Sequence, residues 1–243
     1  EQTLNLLEQG FGTIALSSGM AAITNIFLSL VKTGENIIAS KYLFGNTRSL
    51  LEETFQKFGI SARFVDCNNL NNLKDAADGN TRVLFCETIT NPQMNITDFS
   101  IVSSFAKDHN LVLVADSSVT SPHLFESKKH GVDIAVHSTT KYISGGATSV
   151  GGAIVDLGSF DWEKIPALKS YHKLGSFAFL ARLRKEVYRN FGSCMSAQAA
   201  NLQNLGLETL SLRIDKSCSN AFKIARFFET RPEVKKVNYP GLE

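Results

Sequence analysis

The chain has 243 residues, 43% hydrophobic and 20% charged, enough to bury one large core or one domain plus part of another. A formal net charge of +2, with Lys and Arg scattered rather than gathered into a stripe, argues against nucleic acid or a membrane surface as partner. No apolar run reaches membrane-spanning length and no signal peptide is visible, so the sequence is expected to work in the cytoplasm.

Four cysteines, Cys67, Cys86, Cys194 and Cys218, lie far apart with no CxxC or other metal-ligand spacing. Buried free thiols are expected, and neither disulfides nor a metal site. The chain begins at Glu1 without a methionine and ends abruptly after Tyr239, Pro240, Gly241, Leu242 and Glu243, as a piece of something longer would.

Residues 1–9 read as a helix with Leu4 and Leu7, and Leu6 beside them, on one face, stopped by Gly10 and Gly12. Residues 13–16 form a short apolar strand. Ser17, Ser18 and Gly19 then open a helix with Met20, Ile23, Phe27, Leu30 and Val31 on one face. Serines cap such helices, glycine admits a ligand close to the backbone, and the free N–H groups of a helix start bind anions. An ordinary capped helix explains the same residues.

The alternation continues with a strand at 36–39, a helix at 47–58 closed by Gly59, a strand at 62–65 and a weak helix at 70–77. Residues 82–86 form a strand ending at Glu87. Thr97 or Asp98 caps a helix running to His109, with Ile101, Val102 and Phe105 inward. Residues 111–115 are the most apolar strand in the chain and run straight into Asp116. Residues 133–136 form another strand that opens into His137, Ser138, Thr139, Thr140, Lys141, Tyr142, Ile143, Ser144, Gly145 and Gly146. One more strand is expected within 149–156, then a loop rich in polar and aromatic residues containing Trp162, Tyr171 and His172. Helices follow at 179–191, 196–205 and 211–229. The change to helices alone places a domain boundary near Gly192, dividing residues 1–192 from 193–243.

Apolar runs alternating with amphipathic helices predict an α/β fold with a mainly parallel sheet covered on both faces. Ligands of such sheets gather beyond the carboxyl ends of the strands. Glu87, Asp116 and the segment from Ser138 to Lys141 all fall at such ends. No GxGxxG follows an early strand, which argues against a dinucleotide site. A lysine between hydroxyls at a strand end suits a Schiff base to a phosphorylated aldehyde, with Ser and Thr donating to the phosphate. Asp116 lies 25 residues before Lys141, a distance one crossover covers, and a pyridoxal phosphate site needs such a pair. Taken alone, Lys141 reads as a solvated surface lysine and Asp116 as a strand-end cap.

The chain resembles the pyridoxal-phosphate enzymes of cysteine and methionine metabolism along essentially its whole length. The likeness rests on Ser18–Gly19–Met20, on Leu43 to Thr47, on Glu87 to Pro92, on Asp116 and on His137 to Tyr142, with further blocks at Gly206 to Leu210 and Val237 to Leu242. That group includes cystathionine γ-synthase, cystathionine lyases, methionine γ-lyase and O-acetylhomoserine sulfhydrylase, and the likeness is nearest to the last. It implies a fold-type I, aspartate aminotransferase-like architecture with a seven-stranded sheet and the start of a smaller C-terminal domain. It implies that Lys141 carries the cofactor and shuttles protons, and that Asp116 pairs with the ring nitrogen. The amides of Gly19 and Met20 with the hydroxyls of Ser138 and Thr140 hold the phosphate, Asn91 meets the ring's phenolic oxygen, and Phe44 stacks on the ring.

Phe44 departs from the family, which usually has tyrosine there. Asn46 stands where methionine γ-lyases carry cysteine, and Gly146 where many members have histidine. Tyr42 is two residues out of register with the stacking position. The N-terminal arm with its Tyr-x-Arg clamp and the arginine that binds the substrate carboxylate have no counterpart in these residues. The resemblance implies γ-replacement on a homoserine ester by sulfide or a thiol, in a homo-oligomer that is a dimer of dimers. Elimination, as in the lyases, and a truncated cofactor-binding fold without turnover are the competing readings.

Overall fold

The computed structural model describes residues 1–242. Its core is one seven-stranded sheet: β1 (Gly12–Leu16), β2 (Asn36–Ser40), β3 (Ser61–Val65), β4 (Thr81–Glu87), β5 (Val112–Asp116), β6 (Ile134–His137) and β7 (Gly152–Asp156), in the order β1-β7-β6-β5-β4-β2-β3. The strands from β2 to β6 pair in parallel, whereas β7 runs antiparallel to both β1 and β6. The fold therefore matches the expected α/β sheet, with one reversed strand that periodicity does not reveal.

The strands are apolar throughout because both faces are covered. Successive side chains point to opposite faces, so Val83, Phe85, Val112 and Val114 enter one core layer and Leu84, Cys86, Leu113 and Ala115 the other. The first layer is closed by α2 (Gly19–Leu30), which buries Ile23, Ile26, Phe27 and Leu30. The second is closed by α4 (Leu70–Ala76) and α5 (Phe99–Asp108), which bury Leu73, Val102 and Phe105, and by Leu4 of α1 (Gln2–Leu7). Of the face expected on α1, Leu4 is buried, while Leu6 and Leu7 are exposed.

The helix expected at 47–58 starts earlier as α3 (Gly45–Ser49) and continues through a π segment (Leu50–Thr54) and a 3₁₀ turn (Phe55–Phe58). Gly59 ends it at φ +72°, a left-handed C-cap that glycine adopts without steric cost. Asp98, rather than Thr97, caps α5, accepting from the amides of Ser100 and Ile101. A short α6 (Ser121–Leu124) and a 3₁₀ turn (Ser127–His130) fill the β5–β6 crossover.

The polar and aromatic stretch after β7 is not a loop. It forms 3₁₀ turns, Trp162–Lys164 and Pro166–Phe177, and Trp162 is buried against Phe179, ring centroids 4.9 Å apart. One indole ring stacked in the core outweighs the polar neighbours that suggested exposure. The chain then forms α7 (Ala178–Arg182), a π segment (Leu183–Tyr188) and α8 (Arg189–Phe191), followed beyond Gly192 by α9 (Ala197–Glu208) and α10 (Leu210–Glu229). All four cysteines are free, but only Cys67 and Cys86 are buried; Cys194 is exposed and Cys218 half-buried. Among the described residues no helix is long and apolar enough to cross a membrane.

The topology sets the site. β1 is antiparallel to β7, and β7 to β6, so the carboxyl ends of β1 and β6 and the amino end of β7 share the edge onto which β4 and β5 also open. Ser18, Asp116, Ser138 and Gly152, far apart in sequence, meet along it.

Candidate active site

The Ser18–Gly19 turn comes first on this edge. The Ser18 side chain accepts from the Ala21 amide (3.0 Å) as the N-cap of α2. The amides of Gly19 and Met20, in the first turn, have no intrahelical acceptor and sit at the positive end of the helix. Gly19 is buried against the residue that follows β6: a Cβ placed on it would lie 2.7 Å from Ser138 Cβ and 3.0 Å from Ser138 Oγ. Beneath the turn, a Cβ on Gly152 would run into the backbone of Ser18 and lie 2.8 Å from Gly19 N. The turn can therefore rest on β7 and beside Ser138 only because both positions are glycine. The result sets the helix-start amides beside the Ser138 hydroxyl.

Asp116 ends β5, between Glu87 on β4 and Val136 on β6 in register. Its Oδ1 accepts from the Ser118 amide at 2.9 Å. Burial pushes its carboxyl above the usual range, opposed by the hydrogen bonds to Ser118 and the charge of His137. Ser118 Oγ in turn accepts from the Ser138 amide (2.6 Å), tying the residue after β6 to the loop after β5. Ser118 was not among the residues expected at the site; its signal is the serine pair that follows Asp116.

Lys141 lies in a tight turn whose backbone is fastened on two sides. Its own amide donates to Ser138 O (3.1 Å). The Thr140 hydroxyl donates to Gly151 O (3.1 Å) and accepts from Gly151 N (3.0 Å), so this expected phosphate donor is here engaged in clasping the lysine turn to the start of β7. On the other side Arg213 of α10 donates to Tyr142 O and Gly206 O, both at 2.7 Å, and to Thr209 Oγ1 at 3.0 Å.

Gly145 and Gly146 take φ of +85° and +146°, backbone that a side chain disfavours, and a Cβ on Gly145 would lie 3.6 Å from Gly206 Cα and 3.7 Å from the Arg213 guanidinium. Conformation thus accounts for the pair. The Lys141 side chain is exposed and has no hydrogen bond or ion pair among the described residues. Next to the turn, His137 and Glu8 form a fully buried pair at 2.6 Å, linking β6 to the residue just past α1.

Phe44 and Asn91 face the same edge from the β2–α3 and β4–α5 connections. Phe44 is 43% exposed, an uncovered aromatic surface. Its amide donates to Glu87 Oε1 (2.7 Å), and the Asn91 amide donates to Glu87 Oε2 (3.3 Å). Glu87 is 5% exposed, and burial, with the Asp116 charge adding to it, pushes its carboxyl up to about 7 against the pull of the two amides. The Tyr42 hydroxyl bonds Asp66 instead, consistent with its being out of register for the stacking position.

These residues fit pyridoxal phosphate. Helix-start amides and Ser138 suit its phosphate, Asp116 suits a protonated ring nitrogen, Phe44 offers a flat apolar face, and Lys141 a primary amine. The close approach of the Gly19 turn to Ser138, which leaves no room for a Cβ and sets the helix-start amides beside the serine hydroxyl, is the observation that decides the fit. Among the described residues no cluster of His, Cys, Asp and Glu is arranged to hold a metal.

Comparison with known proteins points the same way. The family model for the Cys/Met metabolism PLP-dependent enzymes matches residues 1–243. The chain is 37% identical over 262 residues to an O-acetyl-L-homoserine sulfhydrylase of Leptospira meyeri, covering all of this chain and 59% of that protein. It superposes with a TM-score of 0.93 on an O-acetylhomoserine sulfhydrylase of Wolinella succinogenes, at 45% identity over the whole chain and 69% of that structure. A Campylobacter jejuni structure assigned to O-acetylhomoserine (thiol)-lyase, which carries N'-pyridoxyl-lysine-5'-monophosphate, gives 0.92 at 36% identity, with 99% of this chain and 61% of that one covered. The chain spans about three-fifths of the length of the curated relatives it matches.

Proposed function

The chain belongs to the pyridoxal-phosphate-dependent enzymes of Cys/Met metabolism, and from that premise we propose that the protein catalyses γ-replacement on O-acetylhomoserine or a related homoserine ester. Sulfide or a thiol replaces the ester group, releasing the carboxylate and giving homocysteine or methionine. The observation that supports this reading is the meeting of the Gly19–Met20 amides, Ser138, Asp116 and Lys141 on one sheet edge in a chain that is similar over its whole length to sulfhydrylases.

When bound, pyridoxal phosphate supplies an electron sink that stabilises negative charge on substrate carbon. Lys141 would hold it through Nζ and then take and return protons at the substrate's α and β carbons. The turn clasped by Thr140 and Arg213 fixes where that amine can reach. Asp116, already short of compensation for its burial, would be relieved by a cationic ring nitrogen against it. Gly19, Met20, Ser138 and, if its hydroxyl turns from Gly151, Thr140 would anchor the phosphate. Asn91 would meet the phenolic oxygen and Phe44 would cover the ring. Phe44 has no hydroxyl, so proton transfer falls to Lys141.

The large cofactor-binding domain would comprise residues 1–192 and a smaller domain would begin at 193, in a cytoplasmic dimer of dimers. The full-length protein, given O-acetylhomoserine and sulfide, should release acetate and homocysteine. Ammonia and an oxo acid formed from cystathionine alone, with no homocysteine from the ester, would overturn the replacement reading in favour of elimination.

A further inference from the structure

Glu87 is a buried carboxylate at the candidate site to which the proposed reaction gives no task. Its two oxygens take amides from two different connections: Oε1 from Phe44, after β2, and Oε2 from Asn91, after β4. Phe44 stands at the N-cap of α3, and Glu87 is the acceptor for its amide. The carboxylate itself is held on β4, beside Asp116, and the Thr97 hydroxyl bonds its backbone carbonyl at 2.6 Å.

We infer that Glu87 is a positioning residue of the cofactor site, setting the spacing between the aromatic face of Phe44 and the ring-oxygen partner Asn91 by gripping both backbones with one carboxylate. The inference rests on the pyridoxal-phosphate reading above. Glu87 touches neither ring nor substrate in this role; it acts through the two residues that do.

The grip depends on charge. An ionised carboxylate accepts both amides in charge-assisted bonds, whereas the protonated acid accepts them only through its remaining lone pairs, in weaker neutral bonds. Burial places this change near pH 7. The charged group acting on Glu87 from a neighbouring element is Asp116 on β5; the Cys86 thiol on its own strand is pushed well above its usual range by burial and stays neutral.

The test is Glu87→Gln in the full-length protein, with cofactor affinity measured by absorbance and fluorescence titration of pyridoxal 5'-phosphate from pH 6 to 8.5. Glutamine is uncharged, as the protonated acid is, and keeps one oxygen acceptor. The variant should bind roughly tenfold more weakly than the parent at pH 8.5, the worth of a lost charge-assisted hydrogen bond. That ratio should approach one at pH 6. A ratio that does not change with pH, or equal affinity at pH 8.5, overturns the inference alone. A parent protein that binds no pyridoxal phosphate sinks the site reading, and this inference with it.

If Glu87→Gln does not fold, Phe44→Trp in the protein that retains Glu87 reports in its place, since the half-exposed position accepts a larger ring. The introduced indole should change emission through a midpoint near pH 7, and a flat response from pH 6 to 8.5 overturns the inference.

Discussion

Gly19→Ala tests the proposed phosphate-binding turn most directly. The added methyl carbon would lie 2.7 Å from Ser138 Cβ and 3.0 Å from Ser138 Cα, so Ser138 must retreat by about 0.7 Å to restore ordinary contact. Two effects on stability oppose each other. Overpacking of this kind costs about 1–3 kcal/mol, while alanine is favoured over glycine in a helix by up to about 1 kcal/mol. Gly19 does not occupy positive φ, so no backbone strain is added. The net loss of stability should therefore not exceed about 3 kcal/mol.

The effect on the ligand should be larger in proportion. The displaced group is Ser138, whose hydroxyl lies beside the Gly19 turn, and a lost hydrogen bond to an anion is worth about 1.5–3 kcal/mol. Affinity for pyridoxal 5'-phosphate should fall about 10- to 100-fold by titration, while affinity for pyridoxal, which lacks the phosphate, should change little. Gly79→Ala, where an added Cβ meets nothing within 4 Å, serves as control. Equal losses for the two ligands would refute the assignment of this turn to phosphate.

Lys141→Ala should abolish borohydride fixation of a pyridoxyl group and reduce turnover by at least about a thousandfold; retained fixation would move the Schiff base to another lysine. Arg213→Ala removes the bonds to Tyr142 O, Gly206 O and Thr209 and should speed amide exchange through residues 141–146, and unchanged exchange would show that Gly151 alone holds the turn. Asp156 is fully buried, one of its oxygens has no partner, and burial raises its carboxyl from 3.8 to about 7. Because the folded form holds the proton more tightly, the stability this group contributes is fully present below about pH 4 and is lost as pH rises towards 7. The loss amounts to about 4 kcal/mol. Asp156→Asn should flatten that part of the stability curve in denaturant titrations, and an unchanged slope between pH 4 and 7 would refute the assignment.

Much of the architecture is legible locally. Every strand of the sheet falls within or overlaps an apolar run, and Ser18, Asp98 and Gly59 mark helix ends where their chemistry requires. Asp116 stands out because a charged group at the end of an apolar strand is costly unless a ligand or partner meets it, and Lys141 because it sits among hydroxyls and glycines that a packed core does not need. The stretch around Trp162 misleads for the same local reason: polar neighbours signal a loop, while the indole decides the packing.

The sequence by itself determined the strand–helix alternation, the strand ends and the chemical types gathered there, because periodicity and capping act over a few residues. Only the tertiary structure decided that β7 runs backwards, which brings Gly152 under the Ser18 turn and Gly151 onto Thr140. It also decided that Arg213 reaches across 71 residues to Tyr142, and that Glu87 takes the amides of Phe44 and Asn91 on one carboxylate. Such contacts depend on which strands become neighbours, and the pattern along any single segment carries no record of that choice.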